Sequence, residues 1–336
     1  MLNLCNKNRR HSVKKEGFYD LLFFRSGLEI ELTNRCNFNC PHCSRSLSNF
    51  DKDLSVSTFE MVLREGKKMN FSTVSLTGGE AILHPRFKEF LKLLKKYDYR
   101  FNFVSNGWLY EDYWNDVKDY KDNLAAIFLS LDGATAEIHD AVRNRIGSFD
   151  RVIEAIKFYR DKKIPVGINF CITGDNYHQI EKVADLCLEL GVKILKSGQL
   201  SSSCKKQAVF LKNEDHREFF EAVFNIWKRT KDFLQFSFSP IHLLIDKDSK
   251  LSFNFCDLLN VKHIYIDCNG KMFFCGSANK ISQNGLSIEE YGFLGSIKKI
   301  LTDIKEIKKK YLNDLYDNKM KINIPCNYCS KNTEEI

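Results

Sequence analysis

No stretch of the 336-residue sequence stays apolar over the roughly 18 to 20 residues needed to cross a bilayer, so no membrane association is expected. The opening segment, MLNLCNKNRRHSVKK, lacks the apolar region of an export signal, which argues against secretion and for a cytoplasmic location. There is no low-complexity tract and no internal repeat beyond an alternation of strand-like and helix-like segments. A concentrated basic arm is also missing. The formal net charge is only +8, with Lys and Arg scattered along helical patterns. Two short basic runs occur, Lys7 to Lys15 and Lys305 to Lys310, and the second sits on a helical pattern with Ile304, Ile307 and Leu312 inward. A solvated surface is expected, with no nucleic-acid partner.

Cysteine, by contrast, is plentiful. Twelve cysteines in a chain without an export signal point to metal or redox chemistry, because the cytosol disfavours structural disulfides. Three fall within eight residues (Cys36, Cys40, Cys43) and five lie beyond position 250; Cys5, Cys171, Cys187 and Cys204 are scattered.

From Leu28 onward, apolar segments of strand and helical period alternate. Strands are expected at 28–32, 73–76, 100–104, 125–131, 166–172 and 192–196. Helices are expected from Ser57, with Glu60 completing a capping box, and over 86–96, 111–120, from 148, over 179–190 and over 214–231. Six strand–helix units joined by short links imply a parallel sheet wrapped by helices, curved into an open partial (β/α)6 barrel of the α/β class. In such folds the chemistry sits on loops at the carboxyl ends of the strands. After about Phe233 the rhythm changes. Cys268-Asn269-Gly270 between 264–267 and 271–274 reads as a hairpin, and a lysine-rich helix over 296–316 leads to Cys326 and Cys329. Three parts are expected: a lead-in over 1–27, the partial barrel over 28–235, and a small α+β cysteine-rich extension over 236–336.

The segment Glu29-Ile-Glu-Leu-Thr-Asn-Arg-Cys36-Asn-Phe-Asn-Cys40-Pro-His-Cys43 places three thiolates on the loop after the first strand. Without a nearby fourth ligand they suit a cubane iron–sulfur cluster with one iron left open. Zinc is the alternative, but a structural zinc site closes with a fourth Cys or His, and His42 sits awkwardly between two ligands. Here the sequence resembles the radical S-adenosylmethionine (SAM) superfamily, whose signature is Cys-x3-Cys-x2-Cys. The resemblance covers roughly residues 28–210. Thr77-Gly78-Gly79-Glu80 looks like the motif that receives the SAM amino group; glycines permit close backbone approach, and Glu80 suits an ammonium.

By the same resemblance, Ser105 and Asn106 after the third strand, and Ser130 and Asp132 at the fourth, would contact the SAM ribose and methionine portions. Arg143 would bind the SAM carboxylate, a task that suits its planar fork. A helix-surface ion pair for Arg143 and a turn role for Asp132 before Gly133 are the plainer readings. His84 and His139 read as local hydrogen-bonding residues. The implied chemistry is one-electron cleavage of SAM to a 5′-deoxyadenosyl radical that abstracts hydrogen from a substrate. A flavodoxin- or ferredoxin-type protein is the implied electron donor.

Cys256-x13-Gly270-x4-Cys275 resembles the opening of the SPASM and twitch extensions of the same superfamily, which carry auxiliary clusters. A full SPASM extension needs more cysteines than the five present here. One auxiliary [4Fe–4S] cluster is therefore expected, ligated by Cys256, Cys275, Cys326 and Cys329, with a zinc knuckle as the alternative. Cys268 reads as a packed thiol.

On substrate the sequence says less. Only 27 residues precede the first strand, so a built-in module for reading a peptide leader is not expected. A small polar substrate of sugar or cyclitol type, undergoing oxidation or epimerisation, is the first expectation. A peptide-modifying maturase is the second, and a non-catalytic iron–sulfur or zinc scaffold the third. Cys204, just beyond the sixth strand, is the candidate hydrogen-atom donor if the reaction is an epimerisation. Molybdopterin precursor cyclase is not expected, because its C-terminal cysteine motif and terminal Gly-Gly are missing.

Overall fold

The first strand shows how the sheet is built. Over β1 (Gly27–Thr33), Leu28, Ile30 and Leu32 alternate with Glu29, Glu31 and Thr33. A strand turns successive side chains to opposite faces, so one face of β1 is apolar and the other polar. The apolar residues join the main hydrophobic core, which lies between the sheet and its helices. A second, small cluster of Ala126, Phe128, Ile194 and the partly buried Val104 lies apart from that core, on the opposite, concave side.

The fold comes from a computed structural model, which describes residues 27–43, 51–199, 215–230, 233–239, 263–273, 285–300 and 302. After β1 come α1 (Val56–Lys68), β2 (Thr73–Gly78), α2 (Phe87–Lys96), β3 (Arg100–Ser105), α3 (Tyr110–Val117) and β4 (Leu124–Ser130). Two helices follow, α4 (Ala136–Arg143) and α5 (Ser148–Asp161), then β5 (Val166–Ile172), α6 (Ile180–Glu189), β6 (Ile194–Gln199), α7 (Asp215–Thr230) and β7 (Gln235–Ser239). The C-terminal part adds β8 (His263–Ile266), β9 (Lys271–Phe273), β10 (Leu286–Ser287) and a helix, α8, over 288–300.

All ten strands form one sheet in the order β10-β9-β8-β1-β2-β3-β4-β5-β6-β7. From β8 to β7 every pairing is parallel, and only β9 and β10 run antiparallel. Among the described residues β7 and β10 do not pair, so the sheet curves without closing. The six strands expected from sequence are all present. Two more parallel strands flank them, β7 across the 235/236 boundary and β8 against β1. β8 and β9 are the two strands of the hairpin expected around Asn269-Gly270, whereas β7, at the sheet edge, has too little local pattern to stand out and is specified by β6.

Two helix expectations need correction. The N-cap of α1 is Ser55, whose side chain accepts from the Thr58 N–H, in place of a Ser57–Glu60 box. Glu60 instead binds Lys96 Nζ at 2.7 Å and Tyr97 Oη at 2.9 Å, tying α1 to α2. The C-terminal helix starts at 288 rather than 296 and packs as part of the barrel. Ile288, Phe293, Ile297 and Ile300 belong to the main core, and the Phe293 ring meets Phe71 edge-on at 6.3 Å.

Phe293 is fully buried against the barrel. Phe293→Ala should therefore destabilise the whole protein by about 3–5 kcal/mol. In denaturant unfolding the barrel and the 263–300 segment should be lost in one transition; an unchanged barrel transition would contradict this packing.

Candidate metal and cofactor site

β1 ends at Thr33, and the chain turns into the loop carrying Cys36, Cys40 and Cys43. The loop is pinned on two sides. On one side runs the segment 51–54. Asn34 N donates to Lys52 O (3.0 Å), Lys52 N to Asn34 Oδ1 (2.7 Å) and Leu54 N to Leu32 O (2.8 Å). Asp53 accepts from Thr33 Oγ1 at 2.6 Å and from Arg35 Nε and Nη2 at 3.0–3.1 Å. Burial of the Asp53 carboxyl acts against its charge, but the Arg35 and Thr33 hydrogen bonds win and hold it below the usual carboxylate range.

On the other side is the Thr77-Gly78-Gly79-Glu80 turn after β2. Gly79 N donates to Thr33 O and Glu80 N to Arg35 O, both at 2.7 Å. The two backbones come so close that a Cβ on Gly79 would lie 2.0 Å from Arg35 O, and one on Gly78 2.4 Å from Thr33 O. Gly78 also holds φ at 144°. The glycines thus serve a close approach of the cysteine loop itself.

Glu80 is buried, with Oε2 accepting from Asn106 N at 3.0 Å and Oε1 left without a hydrogen-bond partner. Burial pushes its carboxyl up, opposed first by the Asn106 N–H. Asn106 also donates from Nδ2 to Asn37 Oδ1 at 2.8 Å, so the β3 loop reaches the cysteine loop too. Ser105 Oγ accepts from Gly107 N.

Arg143, at the end of α4, is no surface ion pair. Its side chain is largely buried and its Nε lies 2.6 Å from Oδ2 of the fully buried Asp132. Burial opposes the guanidinium charge, but Asp132, Cys40 and Cys171 outweigh it and raise the Arg143 pKa. Asp132 does not line the cavity described below. It accepts from Cys171 N at 2.7 Å and serves as the counter-ion of Arg143. His139 is buried, with Nδ1 accepting from Asp132 N at 3.0 Å, and burial lowers its pKa to about 4. His84 is likewise local: Nε2 meets Leu54 O and Nδ1 accepts from Arg86 N. Both histidines behave as the sequence suggested.

A cavity of about 440 Å³ collects these groups. Cys36, Cys40, Cys43, Thr77, Gly78, Gly79, Glu80, Ser105, Asn106, Ser130 and Arg143 all line it. Cys40 is buried, and burial raises its thiol pKa while Arg143 pulls it back. Among the described residues no three Cys, His, Asp or Glu side chains converge on one ion. The sequence-expected Cys204, Cys256, Cys275, Cys326 and Cys329 lie outside the described residues. Cys268 is buried at the hairpin turn.

Residues 30–187 match the family model described as the radical SAM superfamily. Over that span, just under half of its length, the chain is similar to the radical SAM superfamily. The antilisterial bacteriocin subtilosin biosynthesis protein AlbA of Bacillus subtilis is 26% identical over 245 residues, covering 70% of this chain and 53% of AlbA. A probable GTP 3′,8-cyclase of Saccharolobus islandicus is 31% identical over 199 residues, covering 58% of this chain and 64% of the cyclase. The crystal structure of Streptococcus suis SuiB bound to precursor peptide SuiA superposes with a TM-score of 0.64 at 20% identity. It covers 81% of this chain and 64% of SuiB, and shows the fold. The chain spans about half the length of AlbA.

Radical SAM proteins use a [4Fe–4S] cluster and SAM. The donor set fits both groups. Three thiols share one cavity, the buried Glu80 carboxylate in its wall matches an ammonium, and a buried guanidinium there matches a carboxylate.

The barrel of this radical SAM fold also has a charged interior that the sequence reading missed. Register places Ser130, Asn169 and Lys196 side by side on β4, β5 and β6, so they share the concave face. The Lys196 ammonium sits 3.8 Å over the Phe128 ring. Burial acts against the ammonium charge, and the Glu29 carboxylate on β1 acts the other way. Glu31 accepts from the Tyr265 hydroxyl of β8 on the same face. The signal was present in the alternation of Glu29 and Glu31 within an otherwise buried strand.

Two outcomes follow from this geometry. Gly79→Ala should drive the cysteine loop off its anchor; iron and sulfide bound after anaerobic reconstitution should fall severalfold while the far-ultraviolet spectrum is kept. Full cluster content in that variant would contradict the close approach. Burial lowers Lys196 to about 8 from an ordinary 10.5. Between those values the unfolded chain holds the proton more tightly than the fold, so stability rises with pH there. Lys196→Met should raise the melting temperature most at pH 7, with the gain shrinking towards pH 10; a gain that grows with pH would contradict the burial.

Proposed function

We propose that this chain is a radical SAM enzyme that modifies a peptide. The single observation that carries the substrate class is the match to AlbA, a bacteriocin biosynthesis protein, along 70% of this chain. The SuiB fold, whose structure holds a precursor peptide, supports the same reading. This reverses the order of the substrate classes drawn from sequence, where a sugar-like molecule came first.

In this reading Cys36, Cys40 and Cys43 hold the cluster, Glu80 takes the SAM ammonium and Arg143 its carboxylate. When bound, cluster and SAM together supply a carbon-centred radical able to abstract hydrogen. The protein's own residues do the rest. Asp132 keeps Arg143 charged and aimed, since a buried guanidinium without its counter-ion would cost about 3–5 kcal/mol. Asn106 fixes one oxygen of Glu80 and leaves the other for the ligand. Gly78 and Gly79 let the cysteine loop seat against the β2 turn. The Lys196, Glu29 and Glu31 charges give the barrel interior polar contacts for a substrate backbone. Cys256, Cys275, Cys326 and Cys329 are proposed to hold an auxiliary [4Fe–4S] cluster, with a flavodoxin- or ferredoxin-type donor reducing the enzyme.

Reconstituted protein should carry about eight irons per chain and little zinc. With dithionite and SAM it should form 5′-deoxyadenosine, and the triple variant Cys36→Ala, Cys40→Ala, Cys43→Ala should form none while keeping about four irons. Short peptides encoded beside the gene should change mass when added. Cleavage surviving in the triple variant would sink the cluster assignment. Turnover of a cyclitol or amino sugar with no peptide turned over would sink the substrate class.

A further inference from the structure

The carboxyl end of α4 meets the cysteine loop. Arg143 is the last residue of the helix, and the chain turns away at Asn144, which holds the left-handed region. Asn144 Nδ2 donates to Asn39 O at 3.3 Å, so the residue after Arg143 is tied to the residue before Cys40. Arg143 and Cys40 line the same cavity, and both are largely buried. A helix carboxyl end carries partial negative charge and by itself disfavours an anionic group nearby. The guanidinium reverses the sign at this end.

That guanidinium is fixed from behind. Its Nε lies 2.6 Å from Asp132 Oδ2, and Asp132 is itself held at three further atoms. Oδ1 accepts from Cys171 N at 2.7 Å, the backbone N–H donates to His139 Nδ1 at 3.0 Å, and the carbonyl accepts from Asn176 Nδ2 at 3.0 Å. Asn176 is braced in turn, donating to Cys171 O at 2.9 Å and accepting from Thr173 N at 2.7 Å. The ends of β4 and β5 thus build in an anion, and the anion sets where the cation stands. On the cavity side Arg143 acts on Cys40 by its charge and by a side-chain hydrogen bond, favouring the thiolate. Asp132 acts on Cys40 in the opposite sense and more weakly.

We propose that the Asp132–Arg143 pair sets the reduction potential of the centre held by Cys36, Cys40 and Cys43. Arg143 raises it through Cys40, and Asp132 is the positioning residue that fixes the guanidinium and offsets part of its charge. The proposal rests on the reading above that these cysteines hold an iron–sulfur cluster. Reduction takes one electron from an external reductant and adds one negative charge to the cluster; no bond forms or breaks. A cation that hydrogen-bonds a ligand sulfur stabilises the reduced form, and the water-poor surroundings strengthen its effect.

The test is an anaerobic redox titration of reconstituted protein without SAM, poised with dithionite and followed by electron paramagnetic resonance. The signal to follow is the one missing from the triple variant Cys36→Ala, Cys40→Ala, Cys43→Ala. Arg143→Met should lower its midpoint by about 59 mV, a tenfold change in the one-electron equilibrium. Asp132→Asn should raise it, by less. Arg143→Lys should recover part of the loss. The double variant Arg143→Met, Asp132→Asn leaves no buried charge alone, and its midpoint should fall between those of the unaltered protein and Arg143→Met. A site that is merely loosened would move both single variants the same way, so shifts of one sign would overturn the proposal. Should a lone charge keep a single variant from folding, the double variant decides, and an unchanged midpoint there overturns the proposal. An unaltered protein with no signal beyond that of the triple variant would overturn the cluster reading and this proposal together, whereas an intact signal with unmoved midpoints overturns this proposal alone.

Discussion

The site depends on one close contact between two backbones. The cysteine loop leaves β1 and is clasped by the β2 turn through Gly79 N to Thr33 O and Glu80 N to Arg35 O. Each such bond contributes only about 0.5–1.5 kcal/mol net. Their weight comes from what they align. The same turn that holds the loop also presents Glu80, so the thiols and the carboxylate are set by one contact. Segment 51–54 closes the other side through Asp53 and Arg35. Neither side tolerates much change: one has no room for a Cβ, and the other relies on a charge-assisted pair.

Behind that clasp the sheet divides two kinds of interior. Leu28, Ile30, Val74, Leu76 and Phe103 pack outward beneath the helices into a dry core. Inward, Glu29, Glu31, Asn102, Asn169 and Lys196 stand around a small apolar patch of Phe128, Ala126 and Ile194. Polar groups are costly to bury without partners, and this fold places them where a ligand and substrate enter. The Arg143–Asp132 pair follows the same logic. Its two charges are buried together, one against the cavity and one behind it.

Much of this was legible in the sequence, and the limits have physical causes. Three closely spaced cysteines and a Gly-Gly-Glu after the next strand are local patterns, and both landed in one cavity. The six central strands carried strong apolar runs and were recognised. The hairpin of β8 and β9 was also read, from its Asn-Gly turn, but β7 was not, because a short edge strand is chosen by the neighbour it pairs with. The ion pair of Asp132 with Arg143 was not read, because the two lie on different elements and local spacing does not join them. Asp53 and Arg35 are separated by 18 residues, so their pairing leaves no trace in local spacing. The substrate class turned on relatives, since the barrel interior shows polarity without naming what it holds.

The central claim is that the cavity lined by Cys36, Cys40, Cys43, Glu80 and Arg143 brings SAM against an iron that the protein leaves unligated. Electron paramagnetic resonance of the dithionite-reduced protein tests it most directly. To isolate the site, Cys326→Ala and Cys329→Ala are combined, which removes two of the ligands proposed for an auxiliary cluster. Adding SAM should shift the g-values of the reduced cluster of the Cys36 loop, and the shift should weaken in Glu80→Gln and Arg143→Met. A spectrum that SAM leaves unchanged at saturating concentration would contradict the account.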